Sequence, residues 1–451
     1  MRFVRSLGWK AVLFAIAAVL FVGAGTGAAV CKFADVNCGL NPADSGPAPT
    51  SLDDFSDKGS GDMDLADGLT GSVVVSGLRG PTDFEFLPDG RILFTEKDGL
   101  VRMAENGRLA RRPFLDLRSR VNTSFFRGVM NITVDPDFGR RPFIYVVYSV
   151  RGPGGVESRE PLQMRVSRFE VRGDTAVAGS ERIILGSERL PGKSCRALPR
   201  SADCIPADGD HLGADMVFRP DGTIFVSTGD GGGGDVEGIE PAAFLAQDPN
   251  TLGGKILHVD REGRGLPANP FWNGDPDANR SKVWATGLRN PFRITLLPGT
   301  SDTLVVGDVG WDSFEEIDIV ERGSNHGWPC YEGPDRTPKY ELRGFCRRYY
   351  TDGKSAGEPW FTMPQPPLFS ITGGVPISDA AGWPAEFEGQ YVFGDWLASE
   401  IYTVPLDVDS PAQESRTIAS NAAGPVAFAL RPDGLYFLAV NTGELRRIKP
   451  V

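Results

Sequence analysis

Histidine is scarce in this chain: three residues in 451. Any imidazole chemistry therefore rests on His211, His258 or His326. Cysteine is also sparse, six in all. None of the six stands in a CxxC or in Cys/His zinc spacing, so no structural zinc is expected. The sequence has no GxSxG elbow and no HExxH, which removes support for a serine hydrolase or a zincin. The glycine run Gly231 to Gly234 lacks the Lys and Ser/Thr that complete a P-loop. Basic residues are outnumbered: 47 Lys and Arg against 59 Asp and Glu, a net charge of −12. Phosphate backbones need a basic face, so nucleic acid is not an expected partner.

Glycine (56) and proline (35) are plentiful. Combined with many short β-rich runs, they indicate a turn-rich all-β fold. Arg2, Arg5 and Lys10 precede an uncharged apolar run from Ala11 to Val30. Residues 1–30 therefore read as an export signal or an uncleaved membrane anchor, with delivery to the periplasm or outside the cell. The six cysteines fit an oxidising compartment. They fall as close neighbours, and the expected pairs are Cys31 with Cys38, Cys195 with Cys204 and Cys330 with Cys346. Residues 31–68 are rich in Pro, Ser, Asp and Gly and read as a flexible tether.

From residue 69 to 451 one unit recurs: an apolar strand, a Pro/Gly/Asp turn, a second apolar strand. Copies start at Phe84, Ile132, Met216, Ile294, Trp383 and Val426. Six copies across nearly the whole segment predict a six-bladed β-propeller, in which radial repetition protects strand edges. Loops at the channel mouth of such a scaffold are where function is expected.

The stretch Asp208 to Asp230 is the richest. Two strands, Met216 to Phe218 and Thr223 to Ser227, flank the turn Pro220-Asp221-Gly222. His211 enters the first strand and Asp230 closes the second; a hairpin of this register within a larger sheet places a base beside an orienting carboxylate, while the other reading of the stretch is a loop histidine and a turn-capping aspartate. His258 lies in an apolar run and reads as a core residue.

Further segments stand out: GGKIL at Gly253, GLRNP at Gly287, GDVG at Gly307 leading to EEID at Glu315, and NxGWP at Asn325. Taken in this order with HxG, PDG and TGD of the first stretch, they resemble the glucose/sorbosone dehydrogenase family, from about Gly77 to Ile448. That family includes soluble quinoproteins that use pyrroloquinoline quinone (PQQ) and calcium. The resemblance implies a six-bladed propeller that oxidises the anomeric hydroxyl of an aldose to a lactone and passes electrons to an external acceptor. It implies His211 as general base, Asp230 as its orienting carboxylate, and Arg289 as the charge that meets the developing anion. Arg289 and Asn290 would contact the quinone, with Arg127 adding positive charge. The carbonyls of Gly310 and Trp311 would hold the cofactor's calcium, and Glu316 and His326 a second calcium.

The chain departs from the family at three points. Gly394 to Ile401 carries no base where the dehydrogenases place Lys or Arg. Phe126 replaces a polar contact to the cofactor, and Ala214 replaces a glycine beside the base. Two alternatives follow: a non-catalytic propeller that binds a protein or glycan, and a calcium-dependent lactonase with calcium at the channel centre.

Overall fold

The computed structural model describes residues 62–152, 154–155, 162–188, 194–233, 239–354, 356–365, 370–377, 383–412 and 414–451. The export segment, most of the tether, and Cys31 and Cys38 lie outside the described residues. Six antiparallel sheets of four to six strands make six blades, as expected, with one small extra hairpin. The innermost strands are β1 (Pro81–Phe86), β2 (Val129–Val134), β3 (Gly213–Phe218), β4 (Pro291–Leu296), β5 (Ile371–Ile377) and β6 (Pro425–Arg431). Each packs on the next, and β6 packs on β1, so the ring is closed. The sixth blade is composite: Leu69–Val75 pairs with Glu444–Pro450. The tether ends earlier than its composition indicated, because Asp64 and Leu65 pair with Ser420 and Ala419 in the fifth blade.

The apolar core is a set of six layers between neighbouring blades rather than one centre. A blade strand is covered on both faces, so it is apolar almost throughout: every residue of Ile224–Thr228 is buried. Each fully buried Val, Ile, Leu or Phe contributes about 1.5–3 kcal/mol. The predicted turn forms as read, with Gly222 at φ 80° and Asp221 Oδ1 accepting the Thr223 N–H at 2.9 Å. The fifth repeat was misplaced by its sequence. Its first strand is β5, while Ala385–Phe387 is a short 3-10 turn in the connection. Gly373, Gly374 and Pro376 hide the strand signal of β5.

All six innermost strands slip register against their second strand near their start, a bulge in each. A bulge bends the strand and re-aims its side chains. The third residues are Asp83, Asn131, Asp215, Arg293, Gly373 and Ala427, and the four polar ones converge across the ring. Asn131 Nδ2 donates to Asp83 Oδ2 at 2.7 Å and to Asp215 Oδ1 at 2.6 Å. Arg293 donates to the carbonyls of Thr82 (2.5 Å) and Val426 (2.9 Å) and lies 3.6 Å from Asp215. Gly373 leaves room for it, since a Cβ there would lie 3.1 Å from that of Arg293. In the third blade Ala214 sits in the bulge at φ 84°, where glycine would be unstrained.

Candidate active site

In the hairpin of the third blade the paired reading holds. Backbone pairing continues past the strands, with Gly229 N–H on Leu212 O at 3.0 Å and Gly231 N–H on His211 O at 3.1 Å. Glycine is required at 229, because a Cβ would lie 2.3 Å from His211 O. His211 Nδ1 is then 2.9 Å from Asp230 Oδ1, and both side chains are buried. Asp230 Oδ1 also accepts the Gly232 N–H at 2.6 Å, and Oδ2 accepts the indole N–H of Trp328 at 2.7 Å. Burial alone would raise the Asp230 carboxyl, but His211, Arg289 and these donors hold it below the ordinary range.

Trp328 comes from the segment between Phe314–Val320 and Phe361–Pro364. The disulfide Cys330–Cys346 closes this segment, and Cys195–Cys204 forms as well, so two of the three expected pairs are present. Trp328 packs with Trp311 and Tyr340 in an aromatic cluster. An indole N–H inside such a cluster needs an acceptor, and Asp230 supplies it.

Glu240 stands on the opposite side of the imidazole. Its Oε1 is 3.5 Å from His211 Nε2 and 3.5 Å from Arg289 Nη2. Burial and the Arg289 charge oppose protonation of His211, yet Glu240 and Asp230 outweigh them and raise its pKa. Arg289 is buried with its guanidinium 5.4 Å from the Trp328 ring centroid. Its Nη1 donates to Val309 O at 3.1 Å and Gly310 O at 2.5 Å. The Gly310 carbonyl, expected on calcium, thus carries a guanidinium. Asn290 Oδ1 accepts the Gly213 N–H at 2.8 Å, which ties the fourth blade to the third beside His211.

Arg127 is placed differently from its expectation. It is buried, and its guanidinium donates to the carbonyls of Ala207 (2.8 Å) and Asp208 (2.5 Å) and to Ser124 Oγ (3.0 Å). Its charge supports the loop before His211. Phe126 meets Trp396 edge to face at 5.6 Å, joining loops of the second and fifth blades, which lie opposite one another. His258 is a core residue as read, bonded to Asn269 (2.7 Å) and Thr223 (2.9 Å) and lowered by burial to about 4.

A second cluster lies below Arg289. Oxygens of Asp308, Glu316 and Asp318 fall within 4.8 Å of one another, all buried. Burial and then Asp318 push Asp308 up to about 7, and burial, then Asp318 and Asp308, raise Glu316 well above the ordinary carboxylate range. Asp318 Oδ2 has no hydrogen-bond partner among the described residues. Three oxygen donors, one of them unsatisfied, fit a hard divalent cation. His326 turns its imidazole toward this cluster, with Nδ1 3.2 Å from Asp318 Oδ1 and Nε2 2.9 Å from Ser324 Oγ.

Sequence reading missed Glu240, Trp328, Asp308 and Asp318 as members of these groups. Trp328 carried a signal, a tryptophan in the NxGWP motif. Glu240 carried none, because its place depends on Tyr340, far away in sequence.

The family model for Glucose / Sorbosone dehydrogenase matches residues 78–447. The HIPL2 protein of Arabidopsis thaliana is 34% identical over 137 residues, 27% of this chain; the chain spans 19% of that relative. Quinoprotein glucose dehydrogenase B of Acinetobacter calcoaceticus is 23% identical over 329 residues, covering 69% of this chain and 61% of the relative. The crystal structure of the soluble aldose sugar dehydrogenase from Escherichia coli in the apo-form superposes with a TM-score of 0.65 at 21% identity. It covers 85% of this chain and 100% of that one, a likeness of fold.

Proposed function

We propose, from the premise that this chain belongs to the glucose/sorbosone dehydrogenase family, that it oxidises the anomeric hydroxyl of an aldose to a lactone. The observation that carries this reading is the buried relay Trp328–Asp230–His211, with Arg289 beside it. His211 Nε2 receives the hydroxyl proton. Asp230 fixes the tautomer through Nδ1–H and stabilises the imidazolium, and Trp328 holds Asp230 in place. Arg289 supplies positive charge where the reacting oxygens gather. No side chain here accepts a hydride, so a cofactor is required. PQQ, when bound, supplies the hydride acceptor, with electrons leaving to an external acceptor. Arg289 and Asn290 fit its polar edge. With Gly310 O taken by Arg289, the cofactor's calcium would keep the Trp311 carbonyl of the expected pair, and the Asp308–Glu316–Asp318 cluster fits another cation. Two disulfides accord with export through residues 1–30.

One observation favours a second reading, a propeller that binds a protein or glycan: the Phe126–Trp396 contact spans opposite blades where the family places cofactor contacts. A lactonase has less support, because the carboxylates on the inner strands, Asp83 and Asp215, are engaged by Arg293 and Asn131. The deciding experiment adds PQQ and calcium to the purified protein and measures dye reduction with a panel of aldoses. Sugar-dependent reduction that His211→Gln abolishes is expected. Failure to bind the quinone at micromolar concentration would move the assignment to the binding propeller.

A further inference from the structure

The segment that brings Trp328 to Asp230 has a second, outward face. It is inserted within the fourth blade, between Phe314–Val320 and Phe361–Pro364. The chain as a whole carries a net charge of −12. Residues 336–354 run the other way, with six bases, Arg336, Lys339, Arg343, Arg347, Arg348 and Lys354, against two acids, Glu341 and Asp352. All six bases are exposed, and none forms an ion pair among the described residues. We propose that this face is the docking site of the external electron acceptor, and that the acceptor is an acidic protein taking one electron at a time. The inference rests on the quinoprotein reading of the site. Each aldose oxidised to a lactone releases two electrons and two protons. Two oxidised acceptor molecules take one electron each, and the protons pass to solvent.

Three observations support it. First, the face adjoins the candidate site. Tyr340 is buried against Trp328 and Trp311, with ring centroids 5.2 and 5.3 Å away, and Trp328 donates to Asp230. Lys339 sets its ammonium 5.4 Å from the Trp311 ring centroid. One ring, Trp311, therefore neighbours both a surface charge and the indole bonded to Asp230. Secondly, the face is stiff. The Cys330–Cys346 disulfide staples the helix Gly344–Thr351 to the segment, with Cys346 and Tyr349 buried beneath it. Arg336 lies over the Tyr350 ring at 4.2 Å and Lys354 over the Tyr349 ring at 5.7 Å. Side chains held over rings lose less freedom when a partner binds. Thirdly, an apolar side chain stands among the charges. Leu342 lies between Lys339 and Arg343 in the chain and is 63% exposed, more than any other described large apolar residue before the terminal Val451. An apolar centre with a charged rim is the anatomy of a protein interface, whereas a polyanionic glycan uses the charges alone. Positive charge on the rim steers an acidic partner to the face, and salt weakens that attraction.

The test uses full-length protein loaded with PQQ and calcium, and two one-electron acceptors of opposite charge: plastocyanin, which is acidic, and mitochondrial cytochrome c, which is basic. Wild type is compared with Arg343→Glu/Arg347→Glu, with Leu342→Ser, and with Arg111→Glu/Arg112→Glu, which reverses two exposed bases in the first blade. Sugar-driven reduction of each acceptor is followed by absorbance, with an uncharged dye as reference. Plastocyanin is expected to be the better acceptor at low salt, and to lose that advantage as salt is added. Arg343→Glu/Arg347→Glu should lower kcat/KM for plastocyanin at least about tenfold and Leu342→Ser about threefold, with dye reduction unchanged in both. The first-blade reversal should change neither. Binding of plastocyanin without sugar, measured by calorimetry, should fall in the same order.

If the Arg343 and Arg347 reversal leaves plastocyanin unaffected, if the first-blade reversal acts equally, or if cytochrome c is the better acceptor, the docking is overturned while dye reduction upholds the quinoprotein reading. If Leu342→Ser has no effect while the reversal does, the face attracts polyanions in general and the protein partner is overturned. If wild type reduces no dye, the quinoprotein reading falls and the acceptor's role with it. Should the reversal fail to fold, Arg343→Gln/Arg347→Gln is expected to cost about threefold with plastocyanin, and no loss overturns the proposal.

Discussion

Two buried charge clusters belong to the same ring, one on its inner strands and one in the segments at their ends, and they are built on opposite principles. In the axial group every charge is answered by direct hydrogen bonds: Asn131 joins Asp83 and Asp215, Arg293 reaches two carbonyls, and the Ile132 and Ile294 N–H groups complete the carboxylates at 3.0 and 2.8 Å. At the mouth, His211 is tied on one side at 2.9 Å and left at 3.5 Å on the other. The first set of bonds ties neighbouring blades together; the second leaves a longer contact on one side of the imidazole. Charge and burial are common to both clusters, so neither identifies a reacting centre by itself. What sets the second cluster apart is the imidazole side left at 3.5 Å.

The comparison breaks if the two clusters respond alike to mutation. His211→Gln is expected to lower kcat/KM for sugar oxidation by about 10²–10⁴-fold while leaving the urea midpoint nearly unchanged. Arg293→Met should act the other way, costing about 3–5 kcal/mol of stability in urea unfolding because Asp83 and Asp215 lose their counter-charge. Equal stability losses for both variants would erase the distinction. Trp328→Phe sharpens it: removing one donor from Asp230 should cost roughly tenfold in kcat/KM, since bonds to charged groups contribute about 1.5–3 kcal/mol. The acidic limb of the pH–rate profile should also move to higher pH, since Asp230 stays ionised and, without the indole dipole, its charge acts more fully on the imidazolium.

The smallest effect is in stability against pH. Glu85 and Glu315 are pushed up to about 8 by burial, then by Asp83 and Asp395 respectively, and Asp308 to about 7. In that window the folded chain keeps protons that the unfolded chain, with carboxyls near 4, has already released. Stability therefore falls as pH rises from about 4 toward 8. His211 adds to the trend, since a raised imidazole contributes below its unfolded pKa and loses that contribution as pH climbs through the folded one. Thermal melts at pH 5 and pH 8 should show the decline. Added calcium should recover more at pH 8, where Asp308, Glu316 and Asp318 can bind it as carboxylates.

Much of this was readable in the chain. Turns built from Pro, Gly and Asp between apolar strands carry the blade count, because turn chemistry is local. The spacing from His211 to Asp230 leaves a paired and an unpaired reading open, and the two-stranded ladder, which fixes what stands opposite what, brings the two side chains together. The fifth blade was misread where glycine and proline weaken the strand pattern of β5. Arg127 was taken for a ligand contact because its charge is visible in sequence and the carbonyls of Ala207 and Asp208 that claim it are not. The axial residues escaped notice although they recur at the third place of successive inner strands. That regularity emerges only when the copies are aligned on their bulges. Glu240 depends on contacts between the third blade and the segment inserted within the fourth, between Phe314–Val320 and Phe361–Pro364, which no local pattern encodes.

The pairing of Leu69–Val75 with Glu444–Pro450 makes the ring a clasp whose two halves are supplied at opposite ends of the folded segment. Until the final strand emerges, the sixth blade has an open edge and the circle lacks its last hydrogen-bonded join. Closure is thus the last topological event available to the growing polypeptide. Damage to either half of the clasp exposes a strand edge that neighbouring molecules can pair with.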